Sequence, residues 1–378
     1  MKWLRKQKLR GQLLGAFNRG GMYVKGPNDR PIYPIIHSVR EDDGRREFVF
    51  TLPLGLDPGL LHRNDYVFHQ QFGANIELKG EYKRFVLTVH NGLPVKVTYN
   101  WGDVASIISG MSLPIVCGIN LRGEMVAYDM VSENRAGILI AGEPGAGKST
   151  ALRQILCTLI QSLGPQKLRL YLADLKRSEF HIFRGIAHTE GVYTTEEELL
   201  PALKTIKKEI ARRGNLLDKA GLSHVDDLDK QLPYIVLCID EYSLLKDNKE
   251  IEKIVGAISS LGRALGIYII VSMQRPSYDL IPTKIRAMLS TRMGFRVADA
   301  DNAKMIGTPG AENVVNPGRM ICKIEKTEEL QAPLLTIASA KQVLAPYKVE
   351  RPAGKRPANV EVSNTNEPVF GVLDDDLT

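Results

Sequence analysis

The chain has 378 residues and a formal net charge of +7, and 44% of its residues are hydrophobic while 25% are charged. This combination excludes disorder for most of the chain, and the length suffices for two or three domains that each bury a core. The apolar stretch at residues 105–121 is interrupted by Gly and polar residues, so it falls short of the ~20 apolar residues that a membrane-spanning helix needs.

Residues 1–30 form a basic leader segment in which no acidic residue precedes Asp29. Its apolar residues are interspersed with charges, which is typical of a helix and unlike a signal peptide. Such a helix can lie on an anionic membrane surface or pack on a partner protein, and a solvated helix is an equally open alternative. The basic residues are Lys2, Arg5, Lys6, Lys8, Arg10, Arg19 and Lys25.

Residues 31–105 have short β-like runs separated by turn residues, which predicts a small α+β module. We expect one helix at residues 60–71 and turns at 42–44, 80 and 91–92. The predicted strands lie at 34–39, 47–51, 75–78, 85–89 and 95–99.

Residues 106–345 alternate apolar, strand-length runs with helical segments, which predicts an α/β domain with a mostly parallel sheet and helices on both faces. One helical segment is expected to run from the end of the second strand to residue 214. The predicted strands lie at 137–141, 168–173, 234–239, 267–272, 291–297 and 320–324.

Residues 346–378 combine Pro, Gly and polar residues with three consecutive Asp near the end, which predicts a flexible acidic tail. It is either a docking peptide or a solubilising segment. The four cysteines lie far apart without C-x-x-C spacing, so we predict neither a disulfide framework nor a zinc site. We expect a reduced, cytoplasmic location, with peripheral membrane association through the leader as the open alternative.

A nucleotide-binding motif follows the strand at residues 137–141. It fits the pattern G-x-x-x-x-G-K-[ST], and it precedes a helix, as such a loop must. Glycines let backbone N–H groups surround phosphate oxygens, Lys148 reaches the β- and γ-phosphates, and the Ser149 hydroxyl ligates Mg²⁺. We therefore predict that ATP and Mg²⁺ bind at Gly142, Glu143, Pro144, Gly145, Ala146, Gly147, Lys148, Ser149 and Thr150.

Two acidic residues, Asp240 and Glu241, end the apolar strand at residues 234–239. The carboxyl edge of a parallel sheet is where ligands bind, and we expect this strand to neighbour the one that carries the nucleotide loop. Asp240 is predicted to hold Mg²⁺ through a coordinated water, and Glu241 to orient or deprotonate the attacking water. A simple turn is the alternative for this pair, and nothing in the sequence resembles the acceptor site of a kinase.

The stretch at residues 262–277 resembles the G-R-A-x-G-I-H-hydrophobic-A-T-Q-R-P-S signature of FtsK/SpoIIIE-type DNA translocases. Residues 113–123, 174–176 and 209–213 also resemble motifs of this family, in the same order. The resemblance extends over roughly residues 110–340. It implies a RecA-like P-loop ATPase motor that assembles as a ring, usually a hexamer, and moves double-stranded DNA.

The resemblance also implies roles for single residues. Gln274 corresponds to the sensor beside the γ-phosphate, and Arg263 to the arginine that reaches the nucleotide of the neighbouring subunit. Arg275, Arg286 and Lys304 correspond to pore-loop residues that face DNA. Residues 275–304 hold six basic residues, including Lys284, against three acidic ones, and such an excess favours sequence-independent phosphate contacts. Arg292 and Arg296 are open to an alternative role as structural ion-pair partners.

The chain has neither the long membrane spans nor the C-terminal winged-helix module of family members that segregate chromosomes. We therefore expect a compact relative of the kind found on conjugative elements, plasmids and phages, which works in DNA transfer with a relaxase or another DNA-processing protein. Two alternatives stay open: a secretion-type or protein-remodelling ATPase of the same family, and a nucleotide-gated binding module with little hydrolysis.

Overall fold

The computed structural model describes residues 2–42, 45–73, 75–90, 92–132, 135, 137–277 and 280–349. Most of the predicted acidic tail, from residue 350 onward, lies outside the described residues. The same holds for Asp43, Gly44 and Asn91 of the predicted turns and for Asp279 of the basic stretch.

An N-terminal module combines one long helix with a four-stranded antiparallel sheet of order β3, β4, β6, β5. Two further short strands, β1 and β2, pair with each other. The elements are α1 (Lys2–Arg19), β1 (Val24–Lys25), β2 (Pro31–Ile32), β3 (Ile35–Asp42), β4 (Arg45–Thr51), α2 (Gly59–Arg63), α3 (Tyr66–Phe72), β5 (Ile76–Gly80) and β6 (Arg84–His90).

The basic leader packs into this module. Leu9, Leu13 and Phe17 of α1 are buried in one hydrophobic cluster with the small sheet. The ring of Phe17 lies 5.0 Å from that of Phe50 and 6.1 Å from that of Phe68. Residues 3–8 of α1 are exposed, whereas its later turns bury one face, so α1 is neither a detached nor a fully solvated helix.

The single helix predicted over residues 60–71 is wrong, since α2 and α3 are separate. Asn64 ends α2 with backbone angles outside the helical region. Its side-chain amide donates a hydrogen bond of 2.8 Å to the carbonyl of Gly20. This break therefore ties the helical segment to the chain that follows α1.

The remaining elements form the larger domain and its connection to the module. They are β7 (Val97–Thr98), α4 (Trp101–Ile107), β8 (Pro114–Ile119), β9 (Met125–Asp129), β10 (Gly137–Ala141), α5 (Lys148–Ser162), β11 (Leu168–Asp174), β12 (Thr189–Tyr193), α6 (Glu196–Ala220), β13 (Tyr234–Asp240), α7 (Lys249–Leu261), β14 (Ile267–Met273), α8 (Thr283–Met288), β15 (Thr291–Phe295), α9 (Ala300–Ile306), β16 (Arg319–Lys323), β17 (Thr327–Gln331), β18 (Pro333–Leu334) and α10 (Ile337–Leu344).

A ten-stranded sheet of order β12, β11, β13, β14, β10, β15, β16, β17, β8, β9 organises this domain. The strands from β12 to β15 are parallel, and the remaining pairs are antiparallel. Two large hydrophobic clusters cover the two faces, one including α5 and α10 and the other α6 and α7. The predicted mostly parallel sheet, preceded by a small α+β module, is confirmed.

Two expectations about this sheet are wrong. The strand β14 lies between β10 and β13, so the two strands that carry the nucleotide motifs are not neighbours. The segment between β11 and residue 214 is not continuously helical, because β12 intervenes before α6. The antiparallel strands β8, β9 and β17 were not among the predicted strands; β8 is buried along almost its whole length, while β9 and β17 are mostly half-buried and show no strict alternation.

The module and the larger domain are joined by one strand pairing and by the side chain of one arginine. Strand β7 pairs in parallel with β18. The guanidinium of Arg319, at the start of β16, donates hydrogen bonds to the carbonyls of Leu93 and Pro94 at 3.2 and 3.0 Å. The domain boundaries at residues 30, 105 and 345 stay predictions. Among the described residues, no helix has the length and apolar character to cross a membrane.

The packing of α1 predicts a large effect for the substitution Phe17→Ala. Removing a fully buried aromatic ring should lower the free energy of unfolding of the module by about 3–5 kcal/mol, measured by urea denaturation. Leu4→Ala is the matched control, because Leu4 is 68% exposed and its loss should change stability by less than ~0.5 kcal/mol. Equal effects of the two substitutions would contradict the placement of α1 in the core.

Candidate functional site

The nucleotide loop occupies residues 142–147 between β10 and α5, and its glycines meet a steric requirement. Gly147 has φ +115°, and a Cβ there would lie 2.6 Å from the backbone nitrogen of Gly318. That nitrogen donates a hydrogen bond of 2.8 Å to the carbonyl of Ala146, so the segment before β16 supports the loop from behind. Because α5 begins at Lys148, its first backbone N–H groups lack partners within the helix and form an anion site.

Lys148 is buried, with 5% of its surface exposed. Burial lowers the pKa of its ammonium group, while the charges of Asp240 and Glu241 oppose that shift. The structure therefore brings together three of the residues that the sequence predicts to be catalytic. The arrangement places a cation beside two carboxylates at the carboxyl edge of the parallel strands, where a phosphate chain can be bound.

Asp240 ends β13, and its backbone is in register with Asp174 at the end of β11. Burial raises the pKa of Asp240 to about 6, against the opposing charge of Lys148, and the charge of Asp174 adds to the rise. Hydrogen bonds are not among the causes of this shift. A buried carboxylate of this kind suits a hydrated cation.

The residues present fit Mg²⁺ bound together with phosphate. No group of three or more His, Cys, Asp and Glu side chains among the described residues has the arrangement of a complete metal site. Mg²⁺ in nucleotide sites takes only one or two protein oxygens and completes its shell with phosphate oxygens and water. Asp240 and the hydroxyl of Ser149, in the first turn of α5, are the residues that would hold it.

Asp174 has a structural role instead. One of its carboxylate oxygens accepts a hydrogen bond from the backbone nitrogen of Ser178 at 3.0 Å. The other accepts from Glu179 and Phe180 at 3.1 and 2.8 Å. The carboxylate thereby fixes the loop that follows β11.

Glu241 is buried and held by three donors. Lys176 donates from Nζ to Oε2 at 2.8 Å, the backbone nitrogen of Gln274 donates to Oε1 at 3.3 Å, and the Ser243 hydroxyl also donates to Oε1. Burial alone would raise the pKa of Glu241, but these hydrogen bonds and the charge of Lys176 lower it. Glu241 is therefore ionised, as a residue that orients water must be.

Strand β14 separates two of the predicted site residues. Gln274 directly follows its last residue, beside Glu241, whereas Arg263 precedes its first residue and is exposed. Seven residues of strand span about 23 Å at a rise of roughly 3.3 Å each. Arg263 therefore lies at the amino ends of the parallel strands, whereas the nucleotide loop of its own chain lies at their carboxyl ends.

The basic residues after β14 differ in their surroundings. Arg275, Lys284 and Lys304 are exposed, while Arg286 is partly buried. Arg296 forms an ion pair with Glu143 of the nucleotide loop, with Nε 3.1 Å from Oε2. This contact agrees with the alternative prediction that Arg296 is a structural ion-pair partner.

Arg292 is also structural, but through a different kind of contact. It donates to the backbone carbonyls of Leu289, Ile306 and Arg286 at 2.6, 3.1 and 2.6 Å. DNA contacts by Arg275, Lys284, Arg286 and Lys304 stay predictions.

The prediction of site residues from the sequence omitted Lys176 and Ser243. Both lie just beyond the carboxyl ends of strands, Lys176 two residues after β11 and Ser243 three residues after β13. Because β11 and β13 are adjacent parallel strands, the residues that follow them meet at one edge. The position of Lys176 after an apolar strand was the available signal.

Comparison with known proteins finds matches to part of this chain. Residues 108–234 match the model of the FtsK/SpoIIIE family. The chain is 32% identical over 223 residues to DNA translocase FtsK of Borreliella burgdorferi, and 29% identical over 251 residues to DNA translocase FtsK of Chlorobaculum tepidum. These matches cover 55% and 61% of this chain, but only 28% and 31% of the length of the two relatives. The resemblance predicted from the sequence is confirmed by this match to a model of a P-loop ATPase family and by these relatives.

Solved structures agree on the fold. The pCW3 conjugation coupling protein TcpA, in its monomer form with ATPγS, matches with a TM-score of 0.60 at 23% identity, over 89% of this chain and 99% of that one. ATPases 2 and 3 of EssC from Geobacillus thermodenitrificans match with a TM-score of 0.60 at 19% identity, over 68% and 51% of the two chains. At these identities the likeness shows the fold alone, and it confirms the P-loop NTPase architecture.

The raised pKa of Asp240 predicts a pH-dependent difference between the wild type and Asp240→Asn. Because its pKa is about 6 in the folded protein against an ordinary 3.8, the ionised carboxylate costs stability as the pH rises through this window. In protein free of metal and nucleotide, the stability of Asp240→Asn relative to the wild type should rise by about 2 kcal/mol between about pH 4.5 and 7. Urea denaturation at several pH values measures it, and a pH-independent difference would contradict the assignment.

Proposed function

We propose that this chain, part of which matches the FtsK/SpoIIIE family model, is an ATPase that forms a ring around double-stranded DNA and translocates it. The observation that carries the proposal is the grouping of Lys148, Asp240 and Glu241 in one buried site at the end of a parallel sheet. The family match supports ATP as the nucleotide and DNA as the polymer.

The residues of the site divide the work of hydrolysis. Backbone N–H groups at the start of α5 and the ammonium group of Lys148 bind the phosphates. Ser149 and Asp240 would hold Mg²⁺, which would neutralise negative charge on the phosphates when bound. Glu241 accepts a hydrogen bond from the attacking water and positions it in line with the γ-phosphate. The backbone nitrogen of Gln274 donates a hydrogen bond to Oε1 of Glu241, so Gln274 belongs to the same site.

Arg263 acts on the nucleotide of a neighbouring subunit. It is exposed and lies at the edge of the sheet remote from its own nucleotide loop, so it is placed for a contact between subunits. A guanidinium group there would stabilise the charge that develops on the transferring phosphoryl group. This contact is the reason for proposing a ring in which each site is completed by the next chain.

DNA contacts are assigned to Arg275, Lys284, Arg286 and Lys304. Exposed side chains at three of these positions fit contacts with phosphates that do not depend on sequence. Repetition of this surface around a ring would line a pore with positive charge. The resulting affinity for duplex DNA should fall steeply with salt.

Conjugative DNA transfer is the proposed setting, with a relaxase or other DNA-processing protein as partner, and the location is cytoplasmic. The fold likeness to a conjugation coupling protein covers 99% of the chain in that structure, against 51% for EssC, which supports this choice over a secretion-type ATPase. The first turn of α1 exposes Trp3 and Leu4, each 68% accessible, among lysines. Contact with an anionic membrane or a partner protein would use this end, and flotation with anionic vesicles separates the two.

Replacement of Glu241 by Gln tests the hydrolytic mechanism. Glu241→Gln should bind ATP with unchanged affinity but turn it over at least ~10²-fold more slowly in the presence of duplex DNA, because the water loses its base. Glu250→Gln is the control, since Glu250 is in an exposed ion pair with Lys204. Wild-type protein whose turnover does not respond to excess duplex DNA at low salt would refute a DNA motor. Stimulation by a protein substrate alone would instead favour the secretion-type alternative.

Sharing of sites between subunits is tested by mixing two inactive variants. Lys148→Ala should lose nucleotide binding, and Arg263→Ala should bind ATP but hydrolyse it at least ~10³-fold more slowly. A mixture of the two should recover part of the DNA-stimulated turnover, because some sites then combine an intact Lys148 with an intact Arg263 from the next chain. Turnover of the mixture equal to the mean of the separate variants would show that Arg263 does not act in trans.

A further inference from the structure

The carboxylate of Glu241 has donors at both of its oxygens. Oε2 accepts from Lys176 Nζ at 2.8 Å, and Oε1 accepts from the Ser243 hydroxyl and from the backbone nitrogen of Gln274. Only 5% of the Glu241 side chain is exposed, against 33% of the Lys176 side chain. The buried carboxylate is therefore held by a cation whose own side chain is partly exposed to solvent.

This arrangement opposes the proposed role of Glu241. A water-orienting carboxylate needs an oxygen with a free lone pair directed at the water within about 3 Å. Each carboxylate oxygen can accept about two hydrogen bonds, so Oε1 is fully occupied by Ser243 and Gln274. Oε2 keeps one free position, but the ammonium group of Lys176 bound to it withdraws charge from the carboxylate. Glu241 held in this way is a weak acceptor until the contact with Lys176 is released.

Backbone strain is concentrated at the same contact. Four non-glycine residues of the described chain have positive φ: Asn28, Asp29, Arg177 and Glu241. One of them, at φ +57°, directly follows Lys176, and another, at φ +65°, is Glu241 itself. Non-glycine residues in this region cost roughly 1–3 kcal/mol each and cluster at switch segments. Glu241 and the residue that follows Lys176 thus lie on strained backbone, which would gain by rearranging.

The loops around the contact are connected to other parts of the molecule. The carboxylate of Asp174 binds three backbone nitrogens after Lys176, so the far side of that loop is fixed. On the other side, Gln274 donates to Glu241 and is followed by Arg275, which is exposed. A displacement of residues 274–275 by a bound polyanion would therefore act directly on the carboxylate of Glu241.

We propose that Lys176 is a positioning residue that holds Glu241 in a resting arrangement, and that contact of DNA with the segment beginning at Gln274 releases it. The inference rests on the proposed function, and it adds a route by which DNA controls hydrolysis. In the absence of DNA, the ion pair keeps turnover low. When residues 274–275 engage the DNA backbone, Glu241 loses one donor, exchanges Lys176 for water and becomes competent.

The substitution Lys176→Met keeps the length of the side chain and removes the cation. Turnover without DNA should rise about tenfold, which corresponds to a barrier lower by about 1.4 kcal/mol, while turnover at saturating duplex DNA should stay near that of the wild type. Lys176→Arg should restore low turnover without DNA. Lys204→Met is the matched control, because Lys204 belongs to an exposed ion pair far along the chain, and it should change neither rate.

A second measurement does not depend on catalysis. In nucleotide-free protein, Lys176→Met and Glu241→Gln should have non-additive effects on the free energy of unfolding, because each removes a partner of the same contact. Should Lys176→Met fail to fold, Ser243→Ala removes the donor at Oε1 and should also raise turnover without DNA.

The outcomes separate the two proposals. Equal loss of both rates in Lys176→Met, or additive effects in the unfolding cycle, would overturn the role of Lys176. Wild-type protein that hydrolyses no ATP with DNA would overturn the proposed function, while the unfolding cycle would still report on the ion pair.

Discussion

Burial of charge at the carboxyl edge of the parallel sheet is the constraint on which the rest of the structure depends. Lys148, Asp240 and Glu241 each have at most 6% of their surface exposed, and isolated buried charges would be too costly to keep. They are tolerated because they face one another and because Lys176 adds a second cation. Three parallel strands are needed to bring these groups to one place: β10 leads to Lys148, β13 to the two acids, and β11 to Lys176.

Local sequence patterns were sufficient for the elements that carry chemistry. The glycine pattern and the apolar run before it located β10, the nucleotide loop and α5, because glycine at Gly147 is imposed by the close approach of Gly318. Fully buried strands such as β13 and β14 were also predictable, since near-continuous apolar runs are typical of a parallel sheet. The placement of Lys148 and Glu241 in one site followed from the general position of ligands in such sheets.

Features that depend on contacts distant in sequence were not predictable. The insertion of β14 between β10 and β13 depends on strand order, which no local pattern specifies. The packing of the basic leader on the small sheet depends on Phe17 meeting Phe50 and Phe68, although its charges suggested a surface helix. Lys176 was recognised only as part of the motif at residues 174–176, and its contact with Glu241 was not predictable because it depends on β11 and β13 being neighbours.

Strand β14 connects the residues to which these roles are assigned, since Arg263 precedes it and Gln274 and Arg275 follow it. The central claim is that this strand links a neighbour's nucleotide, the water-orienting Glu241 and DNA within a ring. Electron microscopy of Glu241→Gln with ATP and a DNA duplex tests it most directly. We expect closed rings with the duplex in the central pore, Arg263 facing the nucleotide of the next subunit, and Arg275 facing the DNA backbone. Monomers, or rings whose pore excludes DNA and whose Arg263 lies away from the subunit boundary, would contradict the claim.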